Sequence, residues 1–306
     1  MLFVGLSVGP AVKAQEVPFP QRAFTFRYEN DFFNATDKYY TQGVVLDYSA
    51  PFIGRSPTTR ALLRLRDAGV QHALFAEQNC FTPSSIRRDT IFTGDRPFAA
   101  ALFVGQRALS IDPTRGLKLT SALTLGVLGP CAVCAEEQRG IHRALDNIEP
   151  LGWQFQVASA LILNYAARIE KRLLRLPFAE ASLGASADLG TYRSNAGVNG
   201  RLELGRFRSD FDVRGPGPKA FRASAFVDGQ VKAIAYDASM QGGLFNADSP
   251  YVLQPEAIER LVLSGGGGVK LAYGKLSLTY AKTFITREFV GGTDHGWGTC
   301  TIKVLF

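Results

Sequence analysis

Residues 221–233 read Phe-Arg-Ala-Ser-Ala-Phe-Val-Asp-Gly-Gln-Val-Lys-Ala, and this stretch decides the fold class. Its odd positions are apolar or Gly, whereas most of its even positions are polar or charged. A period of two residues places these two sets on opposite faces of an extended strand. The same alternation returns at 276–280 and at 300–306, where it ends on Phe306. The chain is therefore predicted to be all-β, with strands that each have one apolar face.

A Phe that closes an alternating C-terminal strand resembles the last strand of bacterial outer-membrane proteins. A water-soluble sandwich would alternate too, with its apolar face inward. The terminal Phe, an export segment and the aromatic ends of many strands favour an antiparallel transmembrane β-barrel with about ten residues per crossing. An even number of strands returns both termini to the periplasm. We predict twelve strands, near 22–30, 40–49, 70–80, 96–106, 117–127, 153–166, 178–189, 197–208, 220–236, 258–273, 275–289 and 297–306.

The connections between these strands also follow a barrel pattern. If the first strand runs outward, the 30–40 turn, the 81–95 loop and the 128–152 loop lie at the extracellular end. Short connections such as 273–275 then face the periplasm, as outer-membrane barrels prefer. The connection 51–69 is long for a periplasmic turn, and we predict a short helix within it.

Composition supports a folded domain and excludes several classes of protein. Apolar residues make up 46% of the 306 residues, so the chain is not disordered, and frequent Phe and Gly with only two Met suit strands. The net charge of +7 favours an anionic partner in general. Lys and Arg are scattered rather than set in a stripe with aromatic residues, so nucleic acid is not the expected partner.

Residues 1–15 look like a secretory signal that lacks its charged start. They form an apolar segment followed by the small-residue exit Val12-Lys13-Ala14. The alternative is a buried N-terminal strand. We predict a shortened signal peptide at 1–14 and a single barrel domain at 15–306, because no later apolar run reaches the length of a membrane helix.

The turn between the first two predicted strands, residues 29–43, is rich in oxygen ligands. It contains Asn30, Asp31, Asp37 and Thr41, which could hold a hard cation or orient an ester. An ordinary polar hairpin loop is the alternative.

Strand alternation makes a further prediction about this turn. It places Asp31 and Thr41 on the same side of the wall as Arg27 and Glu29.

Among the three histidines, His142 is the one with functional potential. We predict that 136–145 forms a short amphipathic helix in an extracellular loop, with Gln138 and His142 on one face. The acidic neighbours Asp146 and Glu149 could tune a base, although a surface histidine is the alternative. His295 is expected to be solvated in its loop.

Two other motifs do not indicate a catalytic or metal site. No GxSxG elbow is present, and the segment 193–197, which resembles the serine motif of outer-membrane phospholipase A, has Tyr192 where that motif has His. A single CxxC, Cys131 to Cys134, lacks the second pair that a zinc site requires. We predict a local disulfide there, with Cys80 and Cys300 either paired or free.

Several blocks together resemble one family, the outer-membrane lipid A 3′-O-deacylases. The resemblance is collinear over nearly the whole mature chain and implies a twelve-stranded barrel, in agreement with the strand count. The blocks are 29–31 with 36–43, 81–83, 95–99, 125–130, 138–142, 152–156 and 286–289.

The resemblance implies Ca²⁺-dependent removal of the 3′-linked acyloxyacyl chain from lipid A, at the extracellular side of the outer membrane of a Gram-negative cell. The partners would be lipopolysaccharide and outer-membrane lipids, and we expect a monomer. By motif, the functional positions become Asn30, Asp31, Thr41 and His142. Asp37 and the aromatic pair 39–40 would then shape the turn and anchor it rather than do the chemistry.

Two positions depart from the family's pattern. A basic residue maps to Arg88, or alternatively Arg87, where the enzyme type has Lys; the planar guanidinium and the compact ammonium are not equivalent. An acidic residue six positions after the His would fall on Ile148, and Glu149 could take that role by a shift of one residue.

The resulting hypothesis is an ester hydrolysis with water as nucleophile. His142 would act as general base, and Asp31 with Asn30 and main-chain oxygens would bind Ca²⁺. Arg88 would share the oxyanion charge or bind a lipid A phosphate, and Thr41 would orient the water or a metal ligand. An outer-membrane phospholipase and a non-catalytic barrel are the two alternatives.

Overall fold

The computed structural model describes residues 22–212 and 219–306, so the predicted signal peptide at 1–14 lies outside the described residues. Twelve strands form one closed barrel in which each strand pairs with its sequence neighbours and β1 pairs antiparallel with β12. The strands are β1 (Ala23–Asn30), β2 (Tyr39–Ser49), β3 (Gly69–Thr82), β4 (Ala99–Asp112), β5 (Leu117–Leu128), β6 (Ala160–Arg175), β7 (Ala179–Gly190), β8 (Arg193–Gly205), β9 (Phe221–Asp237), β10 (Leu261–Tyr273), β11 (Leu276–Ile285) and β12 (His295–Leu305). The predicted fold class and strand number are confirmed.

Two helices accompany the strands within the described residues: α1 (Cys134–Ala144) and the four-residue α2 (Ala238–Gln241). The predicted helix in the 128–152 loop is α1. Neither helix is long and apolar enough to cross a membrane. In the connection 51–69, two short 3-10 turns, Pro51–Arg55 and Pro57–Ala61, take the place of the predicted helix, and each begins at a proline.

Several strand boundaries differ from the prediction, and the sixth strand differs most. The sixth strand begins at Ala160, not near 153, and continues to Arg175. Residues Trp153–Phe155 form a 3-10 turn instead, because the Trp153 side chain is buried against Phe98, with ring centroids 4.8 Å apart. Tertiary packing of the indole overrides the strand propensity of an aromatic segment.

The barrel wall has an apolar outer face and a polar inner face. On β3 and β4, Leu74 is 48% exposed and Val104 58% exposed, as expected of side chains that face lipid. The residues that alternate with them point inward, where Arg107 forms an ion pair with Asp47 at 2.7 Å. An apolar outside with charges inside is the arrangement of a membrane barrel.

The interior is filled rather than open at the end that carries the 31–38, 83–98 and 129–159 connections. A buried cluster there includes Phe81, Phe103, Ile162 and Tyr192. His295, which we expected to be solvated, begins β12 and is buried in the same half of the barrel.

The predicted local disulfide between Cys131 and Cys134 is wrong. Cys134 is bonded to Cys80, whose Cα lies 5.8 Å away, while Cys131 and Cys300 are free. The reason is the placement of α1, whose first residue packs against the end of β3. Val133, between the two cysteines of the motif, has a positive φ of 57° that turns the chain into the helix.

Candidate active site

Helix α1 lies against the outside of the barrel. The outer face of β3 carries Leu74, Gln78 and Cys80 at alternate positions, and the last two contact the segment that leads into α1. Cys80 forms the disulfide, and the Gln78 side-chain amide donates to the Ala132 carbonyl at 2.8 Å. From β2, Gln42 donates to the Glu137 carboxylate at 2.8 Å. The helix therefore covers the loop-bearing end of β2 and β3 from the lipid side.

The turn after β1 brings Asp31 to this outer surface. The Asn30 side-chain oxygen accepts from the Phe32 amide at 2.7 Å and caps a 3-10 turn over 31–34. Asp31 is 2% exposed and accepts from the Lys38 amide at 2.6 Å. A bulge between Tyr40 and Gln42 turns the intervening Thr41 toward Asp31.

The prediction that Asp31 and Thr41 share a side with Arg27 and Glu29 is wrong. Glu29 accepts from the Tyr40 hydroxyl at 2.6 Å and lines an interior cavity together with Arg27. Alternation ends where β1 ends, and the bulge on β2 shifts the side-chain direction by one residue.

Asp37 is the centre of the constellation. One of its oxygens accepts from the Thr41 hydroxyl at 3.1 Å and from the Gln138 amide at 3.2 Å. Its other oxygen lies 3.5 Å from Nε2 of His142. The Thr41 hydroxyl also lies 3.4 Å from Asp31. A hydroxyl has one proton, so Thr41 sits between two carboxylates and donates to one of them at a time.

Sequence reasoning missed the role of Asp37, which it treated as a residue that shapes the turn. The contacts of its carboxylate with α1 join residues about one hundred positions apart and leave no local pattern in the sequence. The available signal was its place in the 36–43 block, four residues before Thr41.

His142 is held in one orientation. It is buried in the last turn of α1, and its Nδ1 lies 2.6 Å from the Ile148 carbonyl oxygen. A carbonyl only accepts, so Nδ1 carries a proton, and Nε2, the nitrogen that can take up a further proton in the neutral ring, faces Asp37. At the position where the family's pattern has an acidic side chain, the main chain of Ile148 thus orients the imidazole.

Gln138 is fixed in the same way. The indole N–H of Trp153 donates to the Gln138 side-chain oxygen at 2.8 Å, which leaves the Gln138 NH₂ group to donate to Asp37. The helix face predicted to carry Gln138 and His142 is confirmed by these contacts.

Arg88 and Glu149 are not part of this cluster. Arg88 is exposed, and its guanidinium lies over the Phe92 ring, 5.5 Å from the centroid. Glu149 is exposed and makes no hydrogen bond or ion pair within 22–212 and 219–306. The Arg88 loop does lie beside the site, since the Leu151 amide donates to the Ile86 carbonyl at 2.7 Å.

Burial of the two carboxylates changes their acidity. Desolvation raises the pKa of Asp31 to about 8, and nearby Asp37 adds to the rise, although the Lys38 amide and the Thr36 and Thr41 hydroxyls oppose it. Desolvation also raises the pKa of Asp37, while the charge of His142 and the Thr41 hydrogen bond oppose this. Neither carboxylate has a Lys or Arg ion-pair partner among the described residues.

The donor set suits a hard cation such as Ca²⁺. Asp31, Asp37, Thr41 and Asn30 offer only oxygen atoms, and a divalent cation would neutralise the two buried carboxylates. Within 22–212 and 219–306, no group of three or more His, Cys, Asp or Glu side chains is placed to hold a metal ion. Further ligands would therefore come from main-chain oxygens, water or substrate.

The chain is similar to one protein family and to solved structures of outer-membrane proteins. A family model described as "Outer membrane protein LpxR" matches residues 1–306. The solved structure of LpxR from Salmonella typhimurium is 20% identical, with a TM-score of 0.75 over 93% of this chain and 100% of that one. The β domain of the Bordetella autotransporter BrkA is 11% identical, with a TM-score of 0.46 over 93% of this chain and 98% of that one. No curated protein sequence matches the chain significantly.

Proposed function

The chain belongs to the LpxR family of outer membrane proteins, and from this premise we propose that it is a lipid A 3′-O-deacylase. The reaction would be Ca²⁺-dependent hydrolysis of the 3′-linked acyloxyacyl ester of lipopolysaccharide lipid A, carried out by a monomer. The proposal rests on one observation: the side chains of four residues contact one another on the outer wall of the barrel, namely Asp31, Asp37, Thr41 and His142.

The position of this cluster supports a lipid substrate. It lies at the end of β2 and β3, above the exposed apolar band that contains Leu74 and Val104. The ester of a lipid lies between its headgroup and its acyl chains, so it would meet the wall at this height. Access from the lipid side requires no passage through the packed barrel interior. If the loop-bearing end faces outward, as in other outer-membrane barrels, the site faces the leaflet that holds lipid A.

In the proposed mechanism, His142 is the general base. Its Nδ1–H is held by the Ile148 carbonyl, and Nε2 takes a proton from the attacking water. A positioned general base contributes about 10²–10⁴-fold in rate. Asp37, 3.5 Å from Nε2, stabilises the imidazolium that forms. The imidazolium then returns the proton to the leaving alkoxide, so no acyl-enzyme is formed.

Asp31 and Asn30 would hold Ca²⁺ with help from Thr41 and Asp37. When bound, this ion would supply a Lewis acid beside the ester carbonyl. Asn30 also shapes the site by capping the 31–34 turn. Arg88, exposed on the neighbouring loop, is better suited to a lipid A phosphate than to the ester oxygen. As the acidic residue of the site, Glu149 is supported less well than Asp37, because Glu149 is not part of the cluster.

The proposal is tested by mass spectrometry of lipid A from cells that express the protein. We expect loss of the 3′ acyloxyacyl mass with the wild type, and retention of it with His142→Ala or under calcium chelation. Arg143→Ala is the matched control, because Arg143 is the exposed neighbour on the same helix. Unchanged lipid A with a folded wild-type protein would refute the assignment and favour a non-catalytic barrel.

A phospholipase of the serine type is not supported by the structure. The Ser194 hydroxyl donates to the Gly190 carbonyl at 3.3 Å, and Tyr192, two positions before it, is buried in the interior cluster. Phospholipid profiles from the same cells would show such an activity as released fatty acid without change to lipid A.

A further inference from the structure

A second cavity of about 570 Å³ lies inside the barrel at the end opposite to the candidate active site. The strands contribute to its walls the residues that lie farthest from the candidate active site, and two turns complete the lining. Leu305, near the end of β12, is one of the lining residues. The lining contains ten Lys and Arg residues and three Asp and Glu residues. Such an excess of one charge inside a confined lumen focuses a positive potential.

The three lining carboxylates are already paired. Glu170 contacts Lys118 at 3.0 Å, and Asp210 contacts Lys270 at 3.4 Å. Asp212 forms an ion pair at 2.7 Å with Arg175, and Arg175 does not line the cavity. These three carboxylates are therefore fewer than the ten cations of the lining.

Arg107 and Arg201 find carboxylates elsewhere on the wall. Arg107 pairs with Asp47 at 2.7 Å, and Arg201 lies 3.8 Å from Glu203 and 3.4 Å from Asp228. Nε of Arg201 is nevertheless buried without a hydrogen-bond partner.

Three lining cations make no ion pair among the described residues: Arg206, Lys275 and Lys303. All three are exposed to solvent, so a solute could reach them.

We propose that this cavity binds a phosphate group. Guanidinium groups match the oxygen geometry of phosphate through paired N–H donors, and ammonium groups add charge without a directional requirement. A phosphate group spreads its negative charge over oxygens that several cations can contact at once, which suits a lining that contains the three unpaired cations Arg206, Lys275 and Lys303. The phosphate could belong to a small soluble molecule or to a phospholipid headgroup, and the two sources share this chemistry. The site is independent of the proposed deacylase activity, because none of its residues belongs to the outer-wall cluster.

The test is calorimetric titration of the purified full-length protein in neutral detergent at low ionic strength. One arm uses inorganic pyrophosphate as the soluble source. The other uses a short-chain phosphatidylglycerol, below its micelle concentration, as the headgroup source. We expect saturable binding in at least one arm, and a loss of affinity of about tenfold or more in the double variant Arg206→Gln, Lys303→Gln.

Arg64→Gln is the matched control, since Arg64 is exposed at the same end of the barrel but outside the cavity. The single variant Lys275→Gln lies in a two-residue turn and provides a milder test if the double variant does not fold. Saturable binding of pyrophosphate alone would identify a soluble ligand, and binding of the lipid alone a headgroup. Absence of saturable binding in both arms, or equal affinity in the wild type and the cavity variants, would overturn the proposal.

Discussion

Removal of the Cys80–Cys134 disulfide should weaken the docking of α1 on the barrel, while the barrel itself stays folded. The bond joins residues 54 positions apart, and in the chain-entropy model a loop of that length corresponds to about 4 kcal/mol of global stability. In the folded protein, however, β4 and β5 are fixed in the barrel between the two cysteines. Undocking of α1 then releases only the chain that follows Leu128, and Cys134 lies six positions beyond it.

The same relation applied to a loop of six residues gives about 2.2 kcal/mol, which corresponds to a roughly 40-fold increase in the undocking equilibrium constant. The remaining contacts of α1 include hydrogen bonds from Gln42 to Glu137 and from Trp153 to Gln138, and the packing of Ala135 in a buried apolar cluster. Because α1 carries His142, we expect the double variant Cys80→Ser, Cys134→Ser to lose activity while the barrel still forms.

The measurement is hydrogen exchange of the peptide covering 134–144, compared with peptides from β4 and β5. Exchange in 134–144 should rise by roughly 40-fold in the double variant, in line with the undocking constant, and β4 and β5 should remain protected. Cys131→Ser is the control, because Cys131 is free and exposed. Equal exchange of 134–144 in the wild type and the double variant, or the same increase in Cys131→Ser, would refute the reasoning.

Three further predictions concern the site itself. Asp37→Asn should lower kcat by about 10²–10⁴-fold, because it removes the charge that stabilises the imidazolium, and a change below about threefold in micellar kinetics would contradict the role given to Asp37. Asp31 ionises near pH 8 when folded but near pH 4 when unfolded, so the unfolded chain loses its proton first. In chelator, the urea midpoint of the wild type should therefore fall as the pH rises from about 4 to 8, and Asp31→Asn should show a smaller fall, because only the raised pKa of Asp37 remains at this site; parallel pH profiles would argue against it. Trp153→Phe deletes the N–H that holds Gln138 and should cost about 1–3 kcal/mol in stability together with part of the activity, whereas unchanged melting and activity would show that the bond is dispensable.

The sequence was enough to predict the barrel because strand alternation is a local property. The segment 221–233 predicted β9, and the same period located every other strand, although not every boundary. Alternation does not show that a side chain such as Trp153 packs against a residue far away in the sequence. For this reason the start of β6 was predicted seven residues too early.

The candidate site was predicted only in part. Asn30, Asp31, Thr41 and His142 came from blocks of the sequence, and the structure brings them to one end of the wall. The docking of α1 on the outer face depends on Cys80 and Gln78, which no period or motif connects to 132–134. The bulge that turns Thr41 outward is likewise a property of strand pairing and not of strand sequence.

The position of His142 and Asp37 on the outer wall has a consequence for how any substrate would be encountered. A lipid approaching them moves in the plane of the bilayer, so the encounter rate depends on the mole fraction of that lipid among its neighbours and not on its bulk concentration. In mixed micelles, added neutral detergent would slow turnover by surface dilution even at constant total lipid.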